Sequence, residues 1–162
     1  MVNEDPGSKG CESAIIKAES TDDYLACADI WLQASLLAHD FIDGDFWRAG
    51  QAAMAAHYLP ASTVTLALNR PGEIAAFSAV RGDKLEALFV RPGNWGQGWG
   101  GRLLENLFGD HQELTVSVYV ENKRAVNFYL NRGFCIVGQG PCSYTGAEEL
   151  TMAWTSKTDL VK

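Results

Sequence analysis

The stretch Leu85-Glu86-Ala87-Leu88-Phe89-Val90-Arg91-Pro92-Gly93-Asn94-Trp95-Gly96-Gln97-Gly98-Trp99-Gly100-Gly101-Arg102-Leu103-Leu104 decides how the rest of the chain is read. An apolar, β-type run enters a turn with glycines at 93, 96, 98, 100 and 101, and a helical pattern with Leu103, Leu104 and Leu107 follows. Glycine lets the backbone approach a ligand closely and take conformations that other residues resist. A helix start then offers unpaired N–H groups and the positive end of a dipole. Strand, glycine turn and helix N-terminus in that order make a pyrophosphate cradle.

Two other phosphate-binding devices do not fit. No Gly-Lys-Ser/Thr follows the glycines, so the P-loop lysine is absent. A dinucleotide fingerprint opens a βαβ unit and carries an acidic residue roughly 20 positions later. Here three hairpin-connected strands come first. A glycine-rich connection without a ligand is the bland alternative. Five glycines in nine residues, beside an exposed-looking Trp95 and Trp99, weigh against it.

Upstream, Ala14 to Lys17 reads as a short strand, and Thr21 followed by Asp22 and Asp23 as the N-cap of a helix reaching about Ala38. Asp43-Gly44-Asp45 breaks that helix, and a second runs from about Phe46 to Tyr58, where Pro60 stops it. Thr63–Leu68, Ile74–Val80 and Leu85–Val90 form an antiparallel meander through turns at Arg70-Pro71-Gly72-Glu73 and Arg81-Gly82-Asp83. Downstream, a helix spans Trp99 to Phe108 and an alternating strand Leu114 to Val120. A helix from about Lys123 to Asn131 ends at Gly133, and strands at Ile136-Val137 and Glu149–Trp154 complete the sheet. The fold class is α/β (α+β): one domain over residues 13–156 with a mixed, mostly antiparallel sheet flanked by helices. Residues 1–12 and 157–162 read as tails.

Bulk properties bound the function. The chain has 162 residues, the size of one ordinary domain, with no apolar run of about 18 or more to span a bilayer. The net charge of −7 excludes a nucleic-acid partner and suits a cationic one such as an amine. Cys11, Cys27, Cys135 and Cys142 lack ligand or disulfide-frame spacing, so reduced thiols, a cytoplasmic location and no metal site are expected.

A second informative segment is Glu121-Asn122-Lys123-Arg124-Ala125-Val126-Asn127-Phe128-Tyr129-Leu130-Asn131-Arg132-Gly133-Phe134. Asn122 is a helix N-cap, Ala125 keeps one face small, Phe128 packs inward and Gly133 is the C-terminal stop.

With both segments in view, the sequence resembles the GNAT superfamily of acetyl-CoA-dependent N-acetyltransferases, over about Ala14 to Trp154. The family's motif (Arg or Gln)-x-x-Gly-x-(Gly or Ala) maps onto Trp95-Gly96-Gln97-Gly98-Trp99-Gly100, with Trp95 where Arg or Gln is usual, so a polar side-chain contact is lost or replaced by stacking. The resemblance implies acetyl-CoA as co-substrate. Backbone N–H groups from Gly96 to Gly101 would hold the pyrophosphate, and Leu88, Phe89 and Val90 would pair with the pantetheine arm. Asn122, Ala125 and Phe128 would lie along that arm, with the Tyr129 hydroxyl near the sulfur.

The resemblance implies acetyl transfer to a primary amine of a small molecule or protein, by direct attack in a ternary complex. A non-catalytic acyl-CoA-binding or sensory module of the same fold is the alternative. A tyrosine at the sulfur can protonate the departing thiolate. For the amine's proton, His39 and Glu86 are the candidates. His39 can equally be a residue closing its helix against the dipole, and Glu86 a solvated strand residue. No membrane partner is expected, and the assembly expected is a monomer or homodimer.

Overall fold

The computed structural model describes residues 13–157. The tails expected over 1–12 and 157–162 lie, Lys157 apart, outside the described residues. Seven strands, β1 (Ala14–Lys17), β2 (Thr63–Arg70), β3 (Glu73–Arg81), β4 (Lys84–Val90), β5 (Glu113–Tyr119), β6 (Cys135–Pro141) and β7 (Glu148–Thr155), form one sheet in the order β1-β2-β3-β4-β5-β7-β6. The helices are α1 (Thr21–Ala38), α2 (Gly44–Ala53), α3 (Trp99–Asp110) and α4 (Lys123–Leu130). Every neighbouring pair of strands is antiparallel except β4 with β5.

β3 is the structural axis. It is buried continuously from Ile74 to Val80, as a strand must be when helices cover both faces. Phe77 and Ala79 join Cys27 and Ile30 of α1 in one core cluster. Ala75 and Ala76 join Trp99 and Leu103 of α3 in another. A third cluster gathers Leu114, Val116 and Val118 of β5 with Leu104, Leu107, Tyr129 and Met152. Leu114, Val116 and Val118 are the buried residues of β5, with Thr115, Ser117 and Tyr119 less buried, and the strand ends before Val120.

Three local expectations are corrected. The N-cap of α1 is Ser20, whose hydroxyl accepts from the Asp23 N–H at 3.1 Å, and Thr21 is already helical. Either hydroxyl fits the capping rule, and only the backbone conformation selects Ser20. The second helix is not one uniform α-helix over Phe46–Tyr58. Asp43 caps it, α2 ends at Ala53, and Met54–Tyr58 continues as a π-helical turn. Trp99, expected at the surface, is only 9% exposed and packs with Leu103 against Ala76.

Among the described residues, Cys27, Cys135 and Cys142 are free thiols, and no helix is long and apolar enough to cross a membrane.

Phe77, fully buried and stacked on Phe89 with ring centroids 6.0 Å apart, ties the α1 layer to the sheet. Phe77→Ala is expected to destabilise the fold by about 3–5 kcal/mol, read as a shift of the urea midpoint at constant slope.

Candidate active site

The sheet opens at its centre. β4 and β5 pair only at Lys84 with Thr115 and Leu85 with Val116, and beyond Leu85 the strands part. At the fork sits a bulge: the β3–β4 register steps from Ala79 opposite Ala87 to Val80 opposite Leu85, leaving Glu86 without a partner. The hydrogen-bond pattern fixes where the next backbone groups point. The Arg91 N–H donates to the Ala75 carbonyl at 2.8 Å, so Phe89 opposite Phe77 is also a bonded pair of this antiparallel ladder. Leu88 and Val90 are the alternate residues, and their N–H and C=O groups point away from β3 into the fork. Trp95 takes one of these, its indole N–H donating to the Val90 carbonyl at 2.7 Å.

Beyond β4, a short 3-10 turn at Pro92–Asn94 leads to Gly96 and Gly98, with φ of 78° and 85°. A Cβ at either would meet nothing within 4 Å. The left-handed backbone, not space, is what asks for glycine there. Gly98 is the N-cap of α3, and the first N–H bonded back within this turn is that of Arg102, to the Gly98 carbonyl at 3.1 Å. The amides of Trp99, Gly100 and Gly101 therefore lack intrahelical acceptors. At Gly100 space does matter, since a Cβ would stand 3.4 Å from Phe128. Gln97 braces the turn by accepting from the Trp99 indole N–H at 3.0 Å and the Asn94 amide at 3.3 Å.

α4 closes the other side. The Asn122 carbonyl oxygen accepts from the Ala125 N–H at 3.2 Å, capping the helix, and its amide nitrogen lies 3.1 Å from His39 Nε2. An amide nitrogen only donates, so His39 Nε2 accepts and the ring proton resides on Nδ1. Nδ1 is buried without a partner. Burial lowers the His39 pKa to about 4, so the imidazole is neutral at physiological pH. Its ring sits 5.0–5.8 Å from those of Phe41, Trp47 and Tyr119. Tyr129 is buried against Phe128 and Phe134, and burial pushes its phenol pKa up, so it stays protonated.

Two clefts result. The first, of about 660 Å³, is lined by Leu88 to Val90, the glycine turn, the start of α3 and the Asn122, Ala125, Phe128 and Tyr129 face of α4. Of the residues the sequence pointed to for a cofactor, all line it except Gln97, which acts behind it as the brace. The second, of about 640 Å³, is walled by Trp31, Phe46, Trp47, Tyr58, Tyr119 and Tyr144, and Glu86 lines it. The Glu86 carboxylate lies 3.8 Å from Lys84 Nζ. His39 lines neither, but it bonds Asn122 of the first cleft and touches Trp47 and Tyr119 of the second. Along β4, Glu86 and Ala87 line the second cleft and Leu88, Phe89 and Val90 the first. Sequence reasoning missed Ala34 and Ala38 of α1, Arg124 and Arg132 in the first cleft, and Tyr119 and Tyr144 in the second. Only the i, i+4 spacing of the two alanines carried a signal.

The family model described as acetyltransferase (GNAT) domain matches residues 60–136, which hold both the fork and α4. The chain is 31% identical over 110 residues to peptidyl-lysine N-acetyltransferase YjaB of Salmonella typhimurium, covering 68% of this chain and 75% of that protein. The solution structure of apo YjaB from Escherichia coli superposes with a TM-score of 0.77 at 24% identity, over 88% of this chain and 97% of that one. The structure of yncA from Salmonella typhimurium with its cofactor acetyl-CoA superposes with a TM-score of 0.63 at 19% identity, over 89% and 94% of the two chains.

The His39 pKa is lower in the folded protein than the ordinary 6.5, so the unfolded chain binds a proton there that the folded one does not. The stability this adds is present in full above pH 6.5 and is lost as pH falls through about 4, for a total of about 3 kcal/mol. His39→Gln is expected to flatten the loss of stability between pH 6.5 and 4, measured by urea unfolding at a series of pH values.

Proposed function

The chain belongs to the GNAT family of acetyltransferases, and on that premise we propose that it moves an acetyl group from acetyl-CoA to a primary amine by direct attack within a ternary complex. The observation that carries this reading is the fork. A strand edge at Leu88 and Val90 that β5 does not pair, with the Val90 carbonyl taken by the Trp95 indole, leads directly to the free amides of α3. An extended arm with amide groups can complete the edge as an added strand, and a pyrophosphate fits the helix N-terminus. Coenzyme A joins those two features in one molecule. The thioester end then lies along α4, where Tyr129 lines the cleft.

The chemistry follows from the residues at the junction. The amine nitrogen, entering from the aromatic cleft, bonds to the acetyl carbon. The C–S bond breaks, and the departing sulfur takes the proton of the Tyr129 phenol. That phenol is fully loaded, because burial keeps it protonated. The proton lost by the amine goes to the Glu86 carboxylate, which is solvent-accessible at the β4 bulge. We assign His39 to positioning: its Nε2 is occupied by Asn122, and its low pKa leaves it little basicity. Among the described residues no cysteine lines either cleft, which favours direct attack over an acyl-cysteine. For the acceptor we take the ε-amine of a protein lysine, the group by which the Salmonella relative is named. A four-carbon stem with a terminal amine suits a cleft with aromatic walls, which Glu86 lines together with Arg81 and Lys84.

Acetyl-CoA is expected to raise the melting temperature, and lysine-containing peptides to release CoA in an amine panel. A thermal shift with no turnover on any amine would mark a binding module instead. Tyr129→Phe is expected to lower kcat by roughly 10²–10⁴-fold with little change in KM for acetyl-CoA. An acyl donor with a lower-pKa thiol should partly rescue it. Wild-type turnover by Tyr129→Phe would remove the general-acid role.

A further inference from the structure

We propose that Arg81 reads an acidic side chain beside the acceptor lysine, so that the enzyme favours lysines with Glu or Asp within two positions in sequence. The inference rests on the reading of the second cleft as the acceptor site.

The charged residues lining that cleft are Arg81, Lys84 and Glu86. All three come from the β3–β4 hairpin, and its register sets their arrangement. Arg81 stands directly opposite Lys84, and such cross-strand partners project to one side of the ribbon with Cβ atoms about 5 Å apart. Glu86 follows Lys84 by two residues, about 7 Å along a strand, and its carboxylate reaches back to Lys84 Nζ at 3.8 Å. Lys84 therefore has a counter-charge. Arg81 makes no ion pair among the described residues, and Asp83, between the two cations in the turn, pairs with neither. Arg81 is also exposed, so its guanidinium is open to a ligand.

Like charges directly opposite each other in a sheet are destabilising. Here such a pair faces the cleft with a single carboxylate beside it. The lining thus carries two positive charges against one negative, in a chain whose net charge is −7. The field of the whole chain draws amines in, while this hairpin opposes them. A lysine ammonium arriving alone meets the local excess of positive charge, and a carboxylate carried on the same peptide offsets it. The spacing suits neighbours in sequence. Glu86 takes the amine's proton in the proposed reaction, and the Arg81–Lys84 pair lies one two-residue step away, the step that separates residues i and i+2 of an extended peptide. Arginine suits the role, since its guanidinium stays charged and donates two parallel hydrogen bonds to a carboxylate. The exposed Phe46, Tyr58 and Tyr144 of the same cleft carry no charge, so the hairpin alone sets its sign.

The test is steady-state acetylation by the full chain of end-capped peptides holding one lysine, with Glu, Gln or Arg at the two positions on either side. Wild type is expected to show kcat/KM about three- to tenfold higher for the Glu peptide than for the Gln peptide, the scale of a partly exposed charge-assisted contact. The difference should sit in KM and shrink as salt is added. Arg81→Gln should abolish the preference without lowering kcat on the Gln peptide. Arg81→Glu should reverse it, so that the Arg peptide leads, which loss of a merely structural contact would not do. Equal turnover of the three peptides by wild type would overturn the proposal, and so would a preference that survives Arg81→Gln. Nα-acetyl-lysine carries a carboxylate on the lysine itself. An Arg81-dependent preference for it, with none among the peptides, would assign Arg81 to a free amino acid and overturn the peptide reading. Turnover of no lysine compound, with acetyl-CoA still raising the melting temperature, would instead sink the acceptor reading on which the proposal rests.

Discussion

The loss of pairing between β4 and β5 beyond Leu85 is the constraint on which the site depends. A sheet interior is the place where unpaired amides are most costly, because buried N–H and C=O groups seldom go without partners. This chain meets that cost by opening a cleft there, so the Leu88 and Val90 backbone groups face a cavity and not an apolar core. The bulge at Glu86 turns β4 at the point of divergence. The left-handed Gly96 and Gly98 then turn the chain into α3 with its free amides toward the same opening. One broken ladder therefore aligns a strand edge and a helix terminus without any catalytic side chain being involved.

The helices on either side respond to the gap. α4 follows β5 and fills the far wall, with Phe128 against Gly100 and Tyr129 sealed among aromatic rings. α1 comes from the opposite direction, and Ala34 and Ala38 line the cleft without obstructing it. The second cleft has aromatic walls of its own. Trp31 and Trp47 meet edge-on with centroids 5.5 Å apart, and the Trp31 ring lies against Gly50, where a Cβ would approach to 3.1 Å.

Much of this was legible in the sequence, for physical reasons that differ by element. Glycine spacing and the flanking leucines located the turn and α3, because left-handed turns and helical periodicity both leave local signatures. The alternation of Val116, Val118 and Val120 with Thr115, Ser117 and Tyr119 located β5 in the same way, although the strand ends at Tyr119. The bulge was silent, since Leu85-Glu86-Ala87 alternates like any half-buried strand and only the register against β3 reveals the extra residue. Trp99 misled because glycine neighbours suggest a loop, yet the ring swings back onto the alanines of β3. His39 was legible as a helix-end residue but its partner was not. No local pattern connects positions 39 and 122, which are brought together by the fold alone. Arg124 and Arg132 were unreadable for a similar reason, as charges on and just beyond a short helix look like a solvated face until the cleft they line is seen.

The amide of Asn122 carries a further consequence. Its oxygen starts α4 and its nitrogen secures the imidazole that ends α1. Two helix termini on opposite sides of the cleft thus depend on one planar group that cannot rotate to serve either alone. Residues joined in this way do not vary independently: substitutions at 39 and 122 share an interaction energy, and their effects fail to add. Through the ring contacts of His39, that shared energy extends to Trp47 and Tyr119. A change introduced to reshape the aromatic cleft is thereby felt at the first cleft too.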